Sequence, residues 1–547
     1  MAEATSTDES TLAPFRVPMF RRLWLASMVS NFGGLIQGVG AAWLMTTIAG
    51  SADMVALVQT STTLPIMIFS LVAGAVADSF PRRNVMLTAQ ILMFTVSASL
   101  AVTAWLELIT PWTLLTFTFL IGCGVAFYNP AWQAAVGDVV PRDRIAAAVL
   151  LNSVSFNATR SIGPAVGGAI VAAAGAFAAF AINALTYLGL IGVLWRWKPD
   201  LPVSHLPRET LTTAMVAGVR YVAMSPKIGT VMLRGFVFGF STIVILALLP
   251  LVARELLAGD ALTYGVLLGA FGVGAVAGAF LSRRARERFS NEVLVRWTLF
   301  SFAACAAIAA QSRSTWFTGA ALTVAGAAWV MSLSLFNTTV QMSTPRWVVG
   351  RALSLYQMAI FGGMALGSWC WGHMAEAFSI ELALLASGGV MLLGAAIGIW
   401  LPLPARDTLN LNPLNRWQEP QIGMEIQPRS GPILVSVEYR IEEARVPEFL
   451  EAMTDRHRIR RRDGAHHWAL MRDLEDPRRW TETFEMPTWV DYVRLHTRTT
   501  HADAPVGDRI RSLHSGPDAP VVRRMIIRNP SRTRIEPEAR ETTDLQP

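Results

Sequence analysis

Residues 160–168 read RSIGPAVGG, within an apolar run from about Ile145 to Ala174. The run is longer than the roughly 20 residues a helix needs to cross a hydrocarbon core of about 30 Å. A guanidinium at such a depth costs roughly 2.5–3.5 kcal/mol on insertion scales, so Arg160 has to face protein or a polar cavity rather than lipid. Gly163 and Gly167 have the G-x-x-x-G spacing, and Gly168 follows them. Small residues at that spacing let a second helix approach closely. Pro164 removes one backbone hydrogen bond, which allows the helix to bend. The stretch therefore reads as a membrane helix packed against other helices, with a polar interior close by.

The composition agrees with this reading. Of 547 residues, 52% are hydrophobic and only 16% charged, where a soluble protein carries about a quarter charged residues; the mean hydropathy is +0.40. From about Phe20 to Leu403 the apolar residues form twelve predicted spans, and after Pro404 such runs stop. The amino-terminal MAEATSTDES is acidic and polar and lacks the features of a signal peptide, so the first span is expected to be retained.

Basic residues assign the loops to sides. Eighteen arginines and lysines, among them Arg82, Arg83, Arg142, Arg144, Arg284 and Arg351, fall on one side of the twelve spans, against Arg254 and Arg313 on the other. Both termini are therefore expected in the cytoplasm. The net charge of +7 is explained by this bias and a basic tail, and gives no reason to invoke nucleic acid. Cys123, Cys305 and Cys370 lie in separate spans and read as small packing residues, not as a metal site. Neither a metal nor a cofactor is expected.

The predicted organisation is a cytoplasmic segment (1–19), a six-helix half (20–197), a central cytoplasmic loop (198–227), a second six-helix half (228–403), a linker (404–430), a small domain (431–529) and a disordered tail (530–547). The central loop ends in TLTTAMVAGVRYVAMSP, which suits a short helix on the membrane surface. A weak repeat links the halves: YNPAWQ ends span four and FNTTVQ ends span ten, so Asn129 and Gln133 recur as Asn337 and Gln341. Pro141-Arg142 likewise answers Pro345-Arg346, and GAVADSFPRR answers GAFLSRRARERFS.

On these residues the chain resembles the major facilitator superfamily. Gly74, Asp78, Arg82 and Arg83 match its cytoplasmic loop motif, and Gly163, Pro164, Gly167 and Gly168 its helix-five antiporter motif. The stretches NPAWQAAVGDVVPRDRIAAAVLLNSVSFNATRSIGPAVGG and GRALSLYQMAIFGGMALGS are most similar to the branch that contains the enterobactin exporter. The resemblance covers about residues 14–403. It implies a secondary transporter of the bacterial cytoplasmic membrane that exports a small organic molecule, siderophore-like or drug-like, by proton antiport and alternating access. It also implies that the loop motif latches the two halves in one conformation, a reading that the accompanying Asp78 favours over a plain topology signal from Arg82 and Arg83. Two departures stand out: Pro81 replaces the usual glycine of the loop motif, and span four lacks the arginine that many drug-exporting members carry.

In the resembling fold spans one, four, seven and ten line the pathway, which selects Gln37, Asn129, Arg234 and Asn337 as cavity candidates. For each, interhelical hydrogen bonding is the competing role, and Arg234 is also placed to snorkel to the cytoplasm. The helix-five glycines are expected to face span eight, where Gly269, Gly272, Gly274 and Gly278 offer a smooth surface. Arg160 then faces the bundle, either paired with interhelical carbonyls or amides, or acting in switching or substrate recognition. No Asp or Glu lies near the middle of any span, so a proton carrier is not identified.

The small domain shows the order strand, helix, two strands, helix, strand, which suggests a ferredoxin-like sheet. The segment PRRWTETFEMPTWVDYVRLHTRTT resembles antibiotic-biosynthesis-monooxygenase-like domains, a fold whose members also serve in dimerisation or ligand binding. His466 and His467 are adjacent on a predicted strand and point to opposite faces; His496 and His501 are five apart on a predicted helix. These histidines read as solvated or hydrogen-bonded, not as metal ligands. The fold class expected is thus an all-α membrane protein of two six-helix halves carrying a cytoplasmic α+β domain. Its expected partners are a small-molecule substrate, the lipid bilayer, a proton as coupling ion, and a second copy through the carboxy-terminal domain. A membrane-anchored oxidoreductase and an importer of the same fold are the alternatives; twelve spans far exceed what an anchor needs.

Overall fold

The computed structural model describes residues 12–141, 144–198, 211–345, 347–404, 410–414, 416–417 and 420–528. The predicted tail 530–547 and most of the segment 1–19 lie outside the described residues, as does the side chain of Asp78. Contacts divide the chain into two compact units, residues 1–344 with 348–408, and residues 345–347 with 409–547.

The first unit is helical: α1 (Pro18–Ile48), α2 (Ala52–Ser79), α3 (Arg82–Trp105), α4 (Pro111–Val139), α5 (Ile145–Arg196), a short α6 (Leu211–Ala223), α7 (Pro226–Leu251), α8 (Ala261–Arg288), α9 (Asn291–Gln311), α10 (Thr315–Met342), α11 (Val349–Ala377) and α12 (Ile380–Trp400). Side chains at several amino termini satisfy free backbone N–H groups. Thr110 accepts from the Thr113 amide with Pro111 at the first helical position of α4, and Asp260 accepts from the Thr263 amide at the start of α8. The 52-residue α5 is broken at Gly175, whose φ of 76° suits only a residue without a Cβ. That break falls between the predicted spans 145–173 and 176–197. Among the described residues nine helices are long and apolar enough to cross a membrane; this is an integral membrane protein. The polar and small residues of α1 and α11, such as Asn31, Gln37, Gln357 and His373, dilute their hydropathy, and these two helices fall outside the nine.

Neighbour relations repeat between the halves. Helix α1 packs on α5, α2 on α4 and α3 on α4; in the same way α7 packs on α11, α8 on α10 and α9 on α10. The most extensive contacts between the halves are those of α2 with α11 and of α5 with α8. Their closeness depends on glycine. A Cβ on Gly168 would lie 2.7 Å from the Ala261 carbonyl oxygen and 2.8 Å from Gly265 Cα, and one on Gly272 would lie 2.5 Å from the Arg160 carbonyl oxygen.

The expected single glycine face divides in two. Gly168 alone of the three meets α8, whereas Gly163 and Gly167 lie against Leu35, Ile36 and Val39 of α1. On α8, Gly269 and Gly272 face α5, but Gly274 and Gly278 face the backbone of α10 at Thr323 and Ala327. The geometric reason is rotation: Gly163 and Gly167 share a helix face at i and i+4, while Gly168 is turned about 100° from Gly167.

The second unit holds a four-stranded antiparallel sheet of β1 (Ile433–Arg440), β2 (His466–Arg472), β3 (Arg479–Met486) and β4 (Val521–Ile526), in the order β2-β3-β1-β4. β1 lies between β3 and β4, with Val435 opposite both Phe484 and Arg524. Helices α13 (Val446–Asp463), α14 (Trp489–Arg498) and α15 (Ala504–Leu513) accompany it, the last unforeseen from sequence. Their core includes Phe449, Phe484, Tyr492 and Ile510. Part of the predicted linker belongs here: the Leu414 amide donates to the Thr499 carbonyl, and Trp417 stacks on His496 at 4.8 Å. The expected alternation at His466–His467 fails, because the register shifts between His466 and Ala469, and both histidines are exposed.

Burial, followed by the charges of Arg460, Arg456 and Arg524, pushes the His496 pKa down to about 3. Its neutral form is favoured only in the folded state, so the unfolded chain takes up the proton first as pH falls below about 6.5. The second unit is therefore expected to lose stability from about pH 6.5 toward 3, by a few kcal/mol in all. Thermal unfolding of the full chain followed against pH should show this, and His496→Phe should flatten the profile above about pH 4.5. In the first unit, Gly326 faces the Phe271 carbonyl with no space for a side chain, whereas a Cβ on Gly319 would meet Leu267 at an ordinary 3.9 Å. Gly326→Val should lower the melting temperature of detergent-solubilised protein, as overpacking costs about 1–3 kcal/mol, while Gly319→Ala leaves it unchanged.

Candidate functional site

Two cavities lie along the interface between the halves. The first, about 460 Å³, is lined from α1, α2, α3, α4 and α5 and completed by Leu246, Tyr264, Leu268, Phe271 and Phe361 of the second half. The second, about 730 Å³, is bounded by α2, α4, α6, α10 and α11. Ile66, Asn129 and Phe361 line both, so they form the partition between them.

Asn129, one of the cavity candidates, lines both cavities. Asn337 lines the second cavity together with Gln133 and Gln341; the two repeated Asn/Gln pairs converge on one space. Within the α10 pair the Gln341 amide donates to Asn337 at 2.5 Å. Gln37 lines the first cavity, but its oxygen already accepts from the Asn183 amide at 2.5 Å and from the Ser97 hydroxyl. That network ties α1 to α3 and to the second segment of α5, so packing consumes much of its polarity.

Arg234 is not brought to either cavity. Its guanidinium is 3.2 Å from Glu292 and also donates to the Leu401 carbonyl at 3.1 Å, and the residue is buried. A charge inside an apolar bundle either pairs or faces a polar cavity. The pairing carboxylate is 58 residues away on α9, which is why Arg234 looked free in the sequence.

Arg160 does reach the first cavity, with its guanidinium over the Phe271 ring at 5.8 Å from the centroid. Among the described residues no carboxylate pairs with it, and neither cavity is lined by an Asp or Glu. The site is a polar, aromatic space with a positive charge and no countercharge. Gln90 adds a buried amide oxygen without a hydrogen bond, and Tyr128, Tyr187 and Tyr264 line the same cavity. Gln90, Tyr264 and Phe361 were not singled out from sequence; the glutamine in the apolar run of span three was the available signal.

Arg82 pairs with Asp138 at 2.6 Å and donates to the Ala134 carbonyl, while Arg83 donates to the carbonyls of Leu194 and Trp195. Both hold α3 to α4 and α5, within one half. Contact between halves at this end runs through Gly74 and Ser70 of α2, where the Ser70 hydroxyl donates to the Ser354 carbonyl at 3.2 Å and a Cβ on Gly74 would meet the Ser354 hydroxyl at 2.9 Å.

Two repeated helical halves enclosing cavities at their interface are the architecture of a secondary transporter. The chain belongs to the transmembrane secretion effector family of major facilitator transporters, which it matches over residues 9–532. It is 27% identical to the enterobactin exporter EntS of Salmonella typhimurium over 386 residues, 69% of this chain and 91% of that protein. It is 25% identical to the multidrug efflux pump Tap of Mycolicibacterium fortuitum over 395 residues, 69% of this chain and 94% of the pump. Among solved structures, the nucleoside transporter NupG matches with a TM-score of 0.60 at 11% identity, covering 70% of this chain and all of that one. A bacterial homologue of the human lysosomal transporter Spinster, in an inward-facing state, matches at 0.55 with 14% identity over 71% of this chain and 95% of its own. At these identities the structures speak for the fold alone.

If the unpaired charge of Arg160 serves transport, Arg160→Ala should reduce substrate flux at least tenfold while membrane insertion and melting temperature hold. Arg160→Lys should restore part of it, as measured by transport in reconstituted vesicles.

Proposed function

We propose that the protein exports a small organic molecule from the cytoplasm, rocking its two halves about the paired cavities. The observation that carries this reading is the pair of cavities between the halves, each lined by an arginine, Arg160 in one and Arg351 in the other, and by no Asp or Glu among the described residues, with Ile66, Asn129 and Phe361 lining both. The similarity to an enterobactin exporter and a multidrug efflux pump supports the outward direction and a siderophore-like or drug-like passenger. Within this reading the chain crosses the membrane twelve times: the nine apolar helices gain α1 and α11, and α5 counts as two about Gly175. Both termini lie in the cytoplasm, on the side of the Arg82–Arg83 loop. Asn129 and Asn337 touch the passenger, Gly74 with Arg82 and Arg83 steadies the cytoplasmic end, and the Arg160–Gly168 stretch is the moving contact. The second unit is a cytoplasmic ferredoxin-like domain, supported by its strand order, and is a surface for self-association.

Coupling to protons follows from the family resemblance. Everted vesicles loaded with protein should accumulate catecholates or cationic dyes only while a proton gradient is imposed. Accumulation that ignores the gradient would remove antiport from the proposal, and uptake by intact cells in place of efflux would reverse its direction. Deleting residues 431–547 should spare efflux; loss of all activity would favour a chemical role for that unit instead.

A further inference from the structure

A second cavity system, independent of the membrane helices, lies inside the carboxy-terminal unit. It is a cleft of about 380 Å³ between the sheet face carrying Val435, Val437 and Phe484 and the helices α13 to α15, with Leu414, Arg416 and Trp417 along its border. Its volume is in the range of pockets that hold small organic ligands, about 300–1,000 Å³.

The charge balance of this cleft is one-sided. Five arginines line it: Arg416, Arg456, Arg460, Arg511 and Arg524. Among the described residues two carboxylates stand against them, and both are engaged. Glu482, fully buried, accepts from Arg460 at 3.3 Å, Trp468 at 3.1 Å and the Tyr439 hydroxyl at 2.9 Å. Asp508 holds Arg511 at 2.6 Å and Arg416 at 3.5 Å. Arg456 is left 3.9 Å from the nearest Glu482 oxygen, and its Nε is buried with no hydrogen bond. Arg524 donates to the Tyr492 hydroxyl at 2.7 Å, and among the described residues no carboxylate meets it. A buried donor without a partner costs about 1–3 kcal/mol, and guanidinium groups are shaped to take a carboxylate in a two-pronged contact.

The remaining walls are flat and aromatic. Trp417 and His496 stack at 4.8 Å with planes 1° apart, and Tyr492 meets the edge of each. The imidazole is neutral at physiological pH because burial and the neighbouring arginines oppose its protonation. The cleft thus offers positive charge from Arg456 and Arg524 and an aromatic wall, with apolar sheet residues as its floor.

We infer that this cleft is a binding site for a small planar organic anion, an aromatic carboxylate, whose charge is taken by Arg456 and Arg524 and whose ring lies against the Trp417–Tyr492 wall. The site is separate from the membrane cavities, and the proposed export reaction does not need it for chemistry. It gives the carboxy-terminal unit a ligand of defined class.

The test uses the full-length protein in nanodiscs, with salicylate and its uncharged analogue salicylamide titrated by calorimetry and by saturation-transfer NMR. Salicylate is expected to bind at least tenfold more tightly than salicylamide. Arg524→Met, on the edge strand, and Arg456→Met should each weaken salicylate at least tenfold, while Arg160→Ala in the membrane unit should leave its affinity unchanged. Equal binding of the two compounds, no binding of salicylate, or unchanged affinity in Arg524→Met would overturn the assignment. Loss of binding in Arg160→Ala would relocate the site to the membrane cavity and overturn it as well. Should Arg456→Met fail to fold, Arg524→Met alone decides, with unfolding excluded by its melting temperature.

Discussion

The approach of α5 to α8 at Gly168 and Gly265 brings two backbones together across the interface of the halves with no side chain between them. In a bilayer, where lipid tails are as apolar as leucine, helix association draws on close packing instead of a hydrophobic drive, so such a contact sets the spacing of everything around it. Arg160 lies two turns before Gly168 on the same helix, and its carbonyl abuts Gly272. The position of the guanidinium in the first cavity is therefore fixed by glycines on the neighbouring helix. The same economy recurs at α8 and α10, where Gly274, Gly278 and Gly326 remove side chains from the seam.

Electrostatics divides the molecule's arginines into two kinds. Arg82, Arg234 and Arg462 are each tied to carboxylates, at 2.6, 3.2 and 2.8 Å, and serve to hold elements together. Among the described residues Arg160 in the membrane unit and Arg524 in the other unit meet no carboxylate, Arg456 stands 3.9 Å from Glu482 with no hydrogen bond from its Nε, and all three border cavities. A charge that the fold does not neutralise remains available to a ligand, and that difference separates structural from functional arginines more sharply than their depth in the sequence does.

Much of the architecture could be read from residues alone because membrane helices obey a length rule and repeats leave local marks. The break at Gly175, the Asn129 and Asn337 pairs, and the four strands of the second unit are all encoded in short stretches. What escaped were relations between distant positions. Nothing near Arg234 announces Glu292, and nothing in the spacing of Gly163, Gly167 and Gly168 shows that two of them serve α1. The segment 410–417 looked like a linker because Pro and Asn dominate it, whereas Trp417 finds its partner in His496, which proximity in sequence could not reveal. Among the site residues, Asn129, Asn337 and Arg160 were legible as polar groups in apolar runs. Tyr264 and Phe361 were not, since aromatic residues in such runs are ordinary.

The two membrane cavities share a wall to which Ile66, Asn129 and Phe361 contribute. Ile66, Asn129 and Phe361 are not braced by an ion pair, and Phe and Asn side chains can swing about two torsions without moving a helix. The space open between the halves at this wall is therefore set by side-chain rotamers as well as by the backbone framework.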